Sequence, residues 1–514
     1  MAENYLIGID IGAVGVKAIL IDSLGNKVCS TWSPHDFQIP KPFWIEQNPE
    51  DWWDGTLECL IKLLRISKVS PTQIVGIGLS GQMYGLVLIT GSGGVLRPCI
   101  LWNDQRSIHQ AITITKDIGE ENILRFTGNN LYANFTAPKI KWVQENEPEL
   151  YSKVGKIMLP KDYIRYKLSG EIVSDVTDAS GTALFNVEKR KWSREMLMNL
   201  NISPYLLPDT MESTAVSGYL NDETALKIGL PSGIPIIAGA GSSISRIIGA
   251  GALTNDVATI SIDSAGLIIV PTDEYKAVPK GKIHCFCHSF PGKWALVGIT
   301  LSAGESFHWF KENFGEKELL MEALSKTDAY ELLTDSAEKI PPGSEGLLYL
   351  PYLTGERTPR NNPHAKGVFF GLSLKHKKAH FIRAIMEGIC YSLRDSFDAF
   401  SLDKGIISEI RVTGGGAKSK LWGEILANVI NRTITPIEST EGAVYGAAIL
   451  AGIGLKVFTA EDIKKNACFI SGKTVSPSGS VSLYQQYMQL FQTLRTQLEP
   501  SFDVLSGIVL EDEQ

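Results

Sequence analysis

The sequence has 514 residues, 44% of them hydrophobic and 20% charged, and reads as a soluble globular protein with room for two or three domains. A net charge of −7 without a basic block argues against nucleic acid or an anionic membrane as its main partner. Seven scattered cysteines, an early strand with no visible signal peptide, and a most apolar tract (234–253) that contains Arg246 lead to the expectation of a cytoplasmic chain without a membrane span.

In chain order, residues 5–22 (YLIGIDIGAVGVKAILID) read as strand, tight turn, strand, with Gly12 and Gly15 in the turn and Asp10 near the end of the first strand. Glycines let backbone N–H groups approach a phosphate, and a carboxylate beside them can hold Mg²⁺. An ordinary hairpin fits the same residues. A third strand is expected over 27–32 and a helix over 50–66. Residues 74–89 read as strand, loop, strand, with Gln82, Met83 and Tyr84 on a loop that either lines a small-ligand site or is a packed turn. PCILWNDQR (98–106) brings Asn103, Asp104 and Arg106 together, either to grip sugar hydroxyls or as an Asp–Arg pair pinning a loop.

Helices are expected at 136–146 and 159–168, and a polar loop at 174–185. A helix at 222–229 is expected to be capped by Asp222 and stopped by Gly229. Residues 234–253 read as strand, small-residue turn and helix, and mark a domain boundary. ATISIDSAGLIIV (258–270) repeats the opening pattern, aligning Ile262 with Ile11 and Gly266 with Gly15, which suggests two like domains. HCFCH (284–288) reads as a buried strand rather than a metal site, because no second ligand pair has zinc spacing. A long helix over 380–400 follows from Phe381, Ile385, Ile389, Leu393 and Phe397 on one face. IRVTGGG (410–416) is a strand ending in three glycines before a helix at 419–430, a pattern that lets backbone lie against a flat or anionic ligand. A small-residue helix at 442–452 and a terminal helix at 482–498 complete the chain.

Taken together, GIDIG-x-x-GVKA, GQMYG, ILWNDQR, LPKDYIRYKLSGE, SDVTDASGT, LPYLTGERTPRNNPHAKGVFFGL and VTGGGAKS resemble the FGGY family of carbohydrate kinases, and within it the xylulose kinases. They run in order from about residue 5 to 450. The resemblance implies an α/β fold of two RNase H-like domains of the actin/hexokinase type around a central cleft. The implied domains are 1–250 (sugar side and first phosphate loop), 251–480 (second phosphate loop and adenosine side) and a C-terminal helix and tail at 481–514. It implies transfer of the ATP γ-phosphate to a sugar or polyol, such as the ketopentose D-xylulose, with ATP and Mg²⁺ as cofactors and a homodimer as a possible assembly. Carried over by resemblance, position by position, Asp10 looks like the acid that places Mg²⁺ and phosphates. Gly12 and Gly15 belong to the first phosphate loop, Ser264 and Gly266 to the second, and Gly414, Gly415 and Gly416 to the adenosine side. Gln82, Met83, Tyr84, Asn103, Asp104 and Ser243 fall on the sugar side.

The departures from the family pattern concern chemistry. Family members place Asp-Asn after AGAG, and that Asp is the general base; here the pair is Ser242-Ser243. A serine hydroxyl has no accessible deprotonated form near neutral pH, and general-base catalysis contributes about 10²–10⁴-fold. The first loop reads Gly12-Ala13-Val14-Gly15 where the family has Gly-Thr-Ser-Gly, and the second reads Asp263-Ser264-Ala265-Gly266. Tyr84 stands where xylulose kinases have His. Three readings follow: a working sugar kinase, a pseudokinase that binds sugar, nucleotide or a partner with little turnover, and a kinase in which Asp263 replaces the base or holds metal.

Overall fold

The computed structural model describes residues 4–276, 283–400, 406–437, 441–465 and 472–512. The chain divides into two compact units that are not contiguous in sequence. The first comprises 1–253, 271–295 and 441–469; the second comprises 254–270, 296–440 and 470–514.

The first unit is built on the opening hairpin. β1 (Tyr5–Ile11) pairs antiparallel with β2 (Gly15–Asp22), which pairs antiparallel with β3 (Lys27–Pro34). After a short β4 (Glu46–Gln47), the chain crosses through the helix Pro49–Ser67 to β5 (Ile74–Gly81), which lies parallel to β1. β6 (Val216–Tyr219), β7 (Pro235–Ile237) and β8 (Ala240–Gly241) extend the sheet beyond β5, with β7 and β8 both parallel to it. Helix Pro49–Ser67 starts where Asn48 caps the Glu50 amide and ends at Lys68 in the left-handed region. Its buried Trp52, Trp53, Cys59, Leu60 and Leu63 belong to the same core as β1, β2 and β5.

The sheet's other face is covered by the small-residue helix, which spans Ala443–Gly454. It sits so close that a Cβ on Gly8 would lie 2.2 Å from the Val444 carbonyl oxygen, and one on Gly78 would lie 1.9 Å from that of Ala447. Only glycine in the strands and small residues on the helix permit this approach.

The second unit repeats the plan. β9 (Val257–Ile262) and β10 (Gly266–Thr272) form the antiparallel pair, β11 (Trp294–Thr300) lies beyond β10, and β12 (Glu409–Thr413) is parallel to β9, followed by β13 (Thr435–Pro436). Ile262 ends its strand as Ile11 does, and Gly266 opens the next as Gly15 does. Helix Lys378–Asp398 buries Ile385, Ile389 and Leu393, along with an Arg383–Glu387 pair.

Three sequence expectations change. Residues 174–185 are not an exposed polar loop: strand Val173–Asp175, helix Val176–Ala179, a 3₁₀ turn at Ser180–Thr182 and strand Phe185–Asn186 form a wholly buried segment. Asn221, not Asp222, caps the helix Asp222–Ile228, accepting from the Thr224 amide, while Gly229 ends it with φ 78° as expected. The terminal helix runs Val481–Asp512, past Pro500 and beyond the expected 482–498. His284–Cys287 is a buried strand, and among the described residues no group of three or more His, Cys, Asp or Glu has a metal-binding arrangement.

Candidate functional site

Strand register gathers the candidate residues of the first unit. Asp10 pairs with Ser80 across β1 and β5, and Gly81 pairs with Gly241 across β5 and β8. Gly12, Gln82 and Ser242 therefore leave the carboxyl ends of three neighbouring parallel strands, the edge where open α/β sheets hold ligands. Asp10 Oδ1 is buried without a hydrogen-bond partner, and so is the Ser80 hydroxyl beside it. Burial raises the Asp10 carboxyl above its ordinary range, against the pull of the Arg246 and Lys17 charges.

The turn after β1 is held through its carbonyls. The Gly12 amide donates to Gly15 O (3.0 Å), and the His35 amide donates to Val14 O (3.2 Å). Gln47 Nε2 donates to Ala13 O (2.7 Å), and the His35 ring contacts Gly12 O at 3.1 Å. Burial lowers the His35 pKa, so the ring meets Gly12 O as a neutral donor. No described residue accepts from the Ala13 or Val14 amides. Gln82 is buried; its amide donates to Ile11 O (2.8 Å), its Nε2 donates to Gln47 Oε1 (3.0 Å), and its Oε1 has no partner.

Ser242 and Ser243 open the helix Ser242–Gly249 directly after β8, half-buried, with no side chain capping the helix. Met83 is buried, packed where a Cβ on Gly241 would fall 2.8 Å from its Cγ. Tyr84 has φ 69°, an uncommon backbone state for an aromatic residue. It is fixed there by Lys139 Nζ and Thr136 Oγ1, which donate to its carbonyl at 2.9 and 3.2 Å, and by stacking on Phe135 with centroids 5.2 Å apart. Burial pushes the Lys139 ammonium down to about 7.

Asn103 Oδ1 is buried without a partner. Asp104 takes the loop-pinning role: its carboxylate accepts from the Ile45 amide (2.6 Å), the Arg106 amide (2.9 Å), Arg106 Nε (2.9 Å) and Arg106 Nη2 (2.7 Å). Those bonds leave it little capacity for a sugar hydroxyl.

Sequence reasoning missed a fully buried ionic network behind these strand ends. Lys161 Nζ reaches Asp162 (2.7 Å), Asp175 (3.1 Å) and Asp178 (3.7 Å). Arg165 meets Asp162 at 2.6 Å and donates to the carbonyls of Val173 and Ala238. Thr177 Oγ1 donates to Asp175 (2.6 Å) and accepts the Gly241 amide (2.9 Å), so the network fixes the residue before Ser242. Neither oxygen of Asp178 has a hydrogen bond, and burial raises its carboxyl far above the ordinary range. The sequence signal was acids and bases in LPKDYIRYKL and SDVTDAS, whose pairing no local pattern displays.

In the second unit, Asp263 is engaged within its own unit. Ser261 Oγ donates to Asp263 Oδ2 (2.6 Å), and the Gly415 amide donates to Oδ1 (3.2 Å). Gly414, at φ 87°, crosses so close that a Cβ there would lie 2.7 Å from that oxygen. The acid thus braces the Gly414–Gly416 turn. Ser264 is exposed, and a Cβ on Gly266 would come within 2.8 Å of Leu393.

Residues 5–249 match the model of the FGGY family of carbohydrate kinases, N-terminal domain, and residues 258–455 match that of its C-terminal domain. The chain is 38% identical over 451 residues to the xylulose kinase of Bacillus subtilis, covering 88% of each chain. It is 35% identical over 448 residues to that of Escherichia coli, covering 87% of this chain and 89% of the other. Among solved structures, ligand-bound xylulose kinase from Lactobacillus acidophilus superposes with a TM-score of 0.89 at 26% identity, covering 98% of this chain and all of that one. This two-unit α/β chain, with paired strand–turn–strand motifs and a candidate site on its strand ends, belongs to the FGGY family of carbohydrate kinases and is of the xylulose-kinase type.

Proposed function

We propose that the site binds a sugar or polyol of the ketopentose class, such as D-xylulose, together with Mg-ATP, and that phosphoryl transfer is slow because no general base stands at position 242. The observation that carries this reading is the register of β1, β5 and β8. It supports the reading by bringing Gly12, Gln82 and Ser242 off the ends of neighbouring strands, two residues beyond the Asp10–Ser80 pair, with serine at the position the resemblance gives to the base.

The residues present fit the family's cofactor. Asp10 offers a buried carboxylate oxygen without a partner, and the Ala13 and Val14 amides are unclaimed donors for a phosphate oxygen. Mg²⁺ is commonly held by one or two carboxylates plus substrate phosphates, which suits Asp10 with no further acid cluster among the described residues. When bound, the metal would supply charge neutralisation at the phosphates. Gln82 Oε1 and Asn103 Oδ1 are buried acceptors for sugar hydroxyls. Asp263, already bonded to Ser261 and Gly415, is a poor substitute base.

Pseudokinase function is the second reading, favoured by the same absence of a carboxylate at Ser242. Thermal unfolding with Mg-ATP and a panel of ketoses and polyols tests the binding common to both. A ligand at 100 times its Kd adds about 2.7 kcal/mol to stability, a shift of several degrees in Tm if it binds only the folded chain. Stabilisation by a ketopentose is the expected result. Stabilisation by ATP with no sugar effect across the panel contradicts the sugar assignment.

A further inference from the structure

A single indole N–H fixes a chain of amides that runs from the sugar side of the site to the turn after β1. Trp52 Nε1 can only donate, and it donates to Gln47 at 3.0 Å. The atom it meets must therefore be Gln47 Oε1, which turns Gln47 Nε2 toward Ala13 O at 2.7 Å. With Gln47 Oε1 committed as acceptor, Gln82 presents Nε2 to it at 3.0 Å, which leaves Gln82 Oε1 buried and unpartnered. Trp52, Gln47 and Gln82 are 0%, 1% and 5% exposed, so water does not compete for these bonds and the orientations are locked.

We infer that Gln47 is a positioning residue that couples recognition of a sugar hydroxyl at Gln82 Oε1 to the geometry of the Gly12–Gly15 turn. The inference rests on the sugar-binding reading above. Gln82 Oε1 can only accept, so its natural ligand is a hydroxyl donor. Its amide is polarised by Gln47, whose own Nε2 holds the carbonyl of Ala13 in the turn. A hydroxyl arriving at one end completes a continuous hydrogen-bonded chain ending at the other. By reciprocity, whatever the turn binds alters sugar affinity by the same factor.

The Gly12 and His35 amides, both hydrogen-bonded to turn carbonyls, report the turn's state by hydrogen exchange on the full chain. Studied at a pH where the introduced carboxyl is ionised, Gln47→Glu keeps the acceptor for Trp52 and Gln82 but loses the donor to Ala13, cutting only the turn end. Gln47→Met cuts both ends. Without ligand, both variants should exchange these amides about fivefold faster, the effect of losing one hydrogen bond. D-xylulose should slow exchange at Gly12 and His35 in the unmodified chain. In Gln47→Glu it should still bind without slowing them, a separation that a merely structural role would not produce.

Unchanged exchange in both variants without ligand overturns the turn end of the link, whatever the ligand does. Slowing by D-xylulose that persists in Gln47→Glu overturns the coupling and leaves the proposed function intact. Failure of D-xylulose to bind the unmodified chain overturns the sugar end together with the proposed function, and the ligand-free comparison tells these failures apart.

Discussion

Ser242 and Glu356 illustrate how one side chain's surroundings set its chemistry. At Ser242 a half-buried hydroxyl stands at a strand end, and a hydroxyl is itself no base near neutral pH. At Glu356, in the second unit, burial raises the carboxyl from an ordinary 4.5 to about 7, against the pull of Arg495 and Arg360. The folded chain therefore keeps a proton that the unfolded chain releases above pH 4.5. Its contribution is full below that pH and declines as pH rises, until the folded group also ionises near 7. The whole change amounts to about 3 kcal/mol, at 1.36 kcal/mol per pH unit. Glu356→Gln should remove this slope, so denaturant unfolding from pH 4.5 to 7.5 should show the variant gaining on the unmodified chain as pH rises. Parallel pH profiles would contradict it. Lys139, which holds the Tyr84 carbonyl at 2.9 Å, carries a related prediction: Lys139→Met should release Tyr84 from its φ 69° state and weaken D-xylulose binding measured by calorimetry.

At the level of elements, glycines bring the first sheet into close contact with the helix Ala443–Gly454. Gly78→Ala places a Cβ about 1.9 Å from the Ala447 carbonyl, which no rotamer change relieves. We expect a loss of about 3 kcal/mol, at the upper end of overpacking costs, read by chemical denaturation. The buried segment 173–186 should be similarly intolerant. Arg165→Met takes one of the two cations that face Asp162, leaving Lys161, and removes donors from Val173 and Ala238, with an expected loss of about 3–5 kcal/mol.

These elements also show what a sequence can and cannot display. The hairpin at 5–22 and its twin at 258–270 were readable because alternation, chain direction and terminal glycines are local signals. The small-residue helix was readable for the same reason. Residues 174–185 were misread as a loop because their acids look solvent-seeking in isolation. Their partners, Lys161 and Arg165, lie on a preceding helix and become visible only in three dimensions. Asp104 and Asp263 likewise look like free ligands in sequence. Arg106, the Ile45 amide, Ser261 and the Gly415 amide claim them in the fold. Gln47 carried no local signal at all, since its role depends on Trp52, Gln82 and Ala13 meeting around it.

For the whole molecule, both units keep the scaffold of a sugar kinase, and serine stands at position 242. The two sheets repeat one plan, the glycines that allow close packing are in place, and Asp10 keeps its buried carboxylate at the strand ends. On the proposed function, Ser242 limits chemistry rather than fold or binding. The most direct test is ATP-dependent phosphorylation of D-xylulose by the unmodified chain and by Ser242→Asp under identical conditions. Slow turnover is expected in the unmodified chain, with a gain of about 10²–10⁴-fold in kcat for Ser242→Asp, the usual worth of a general base. Turnover typical of an efficient enzyme in the unmodified chain, about 10 s⁻¹ or more, with no gain from Ser242→Asp, would contradict it.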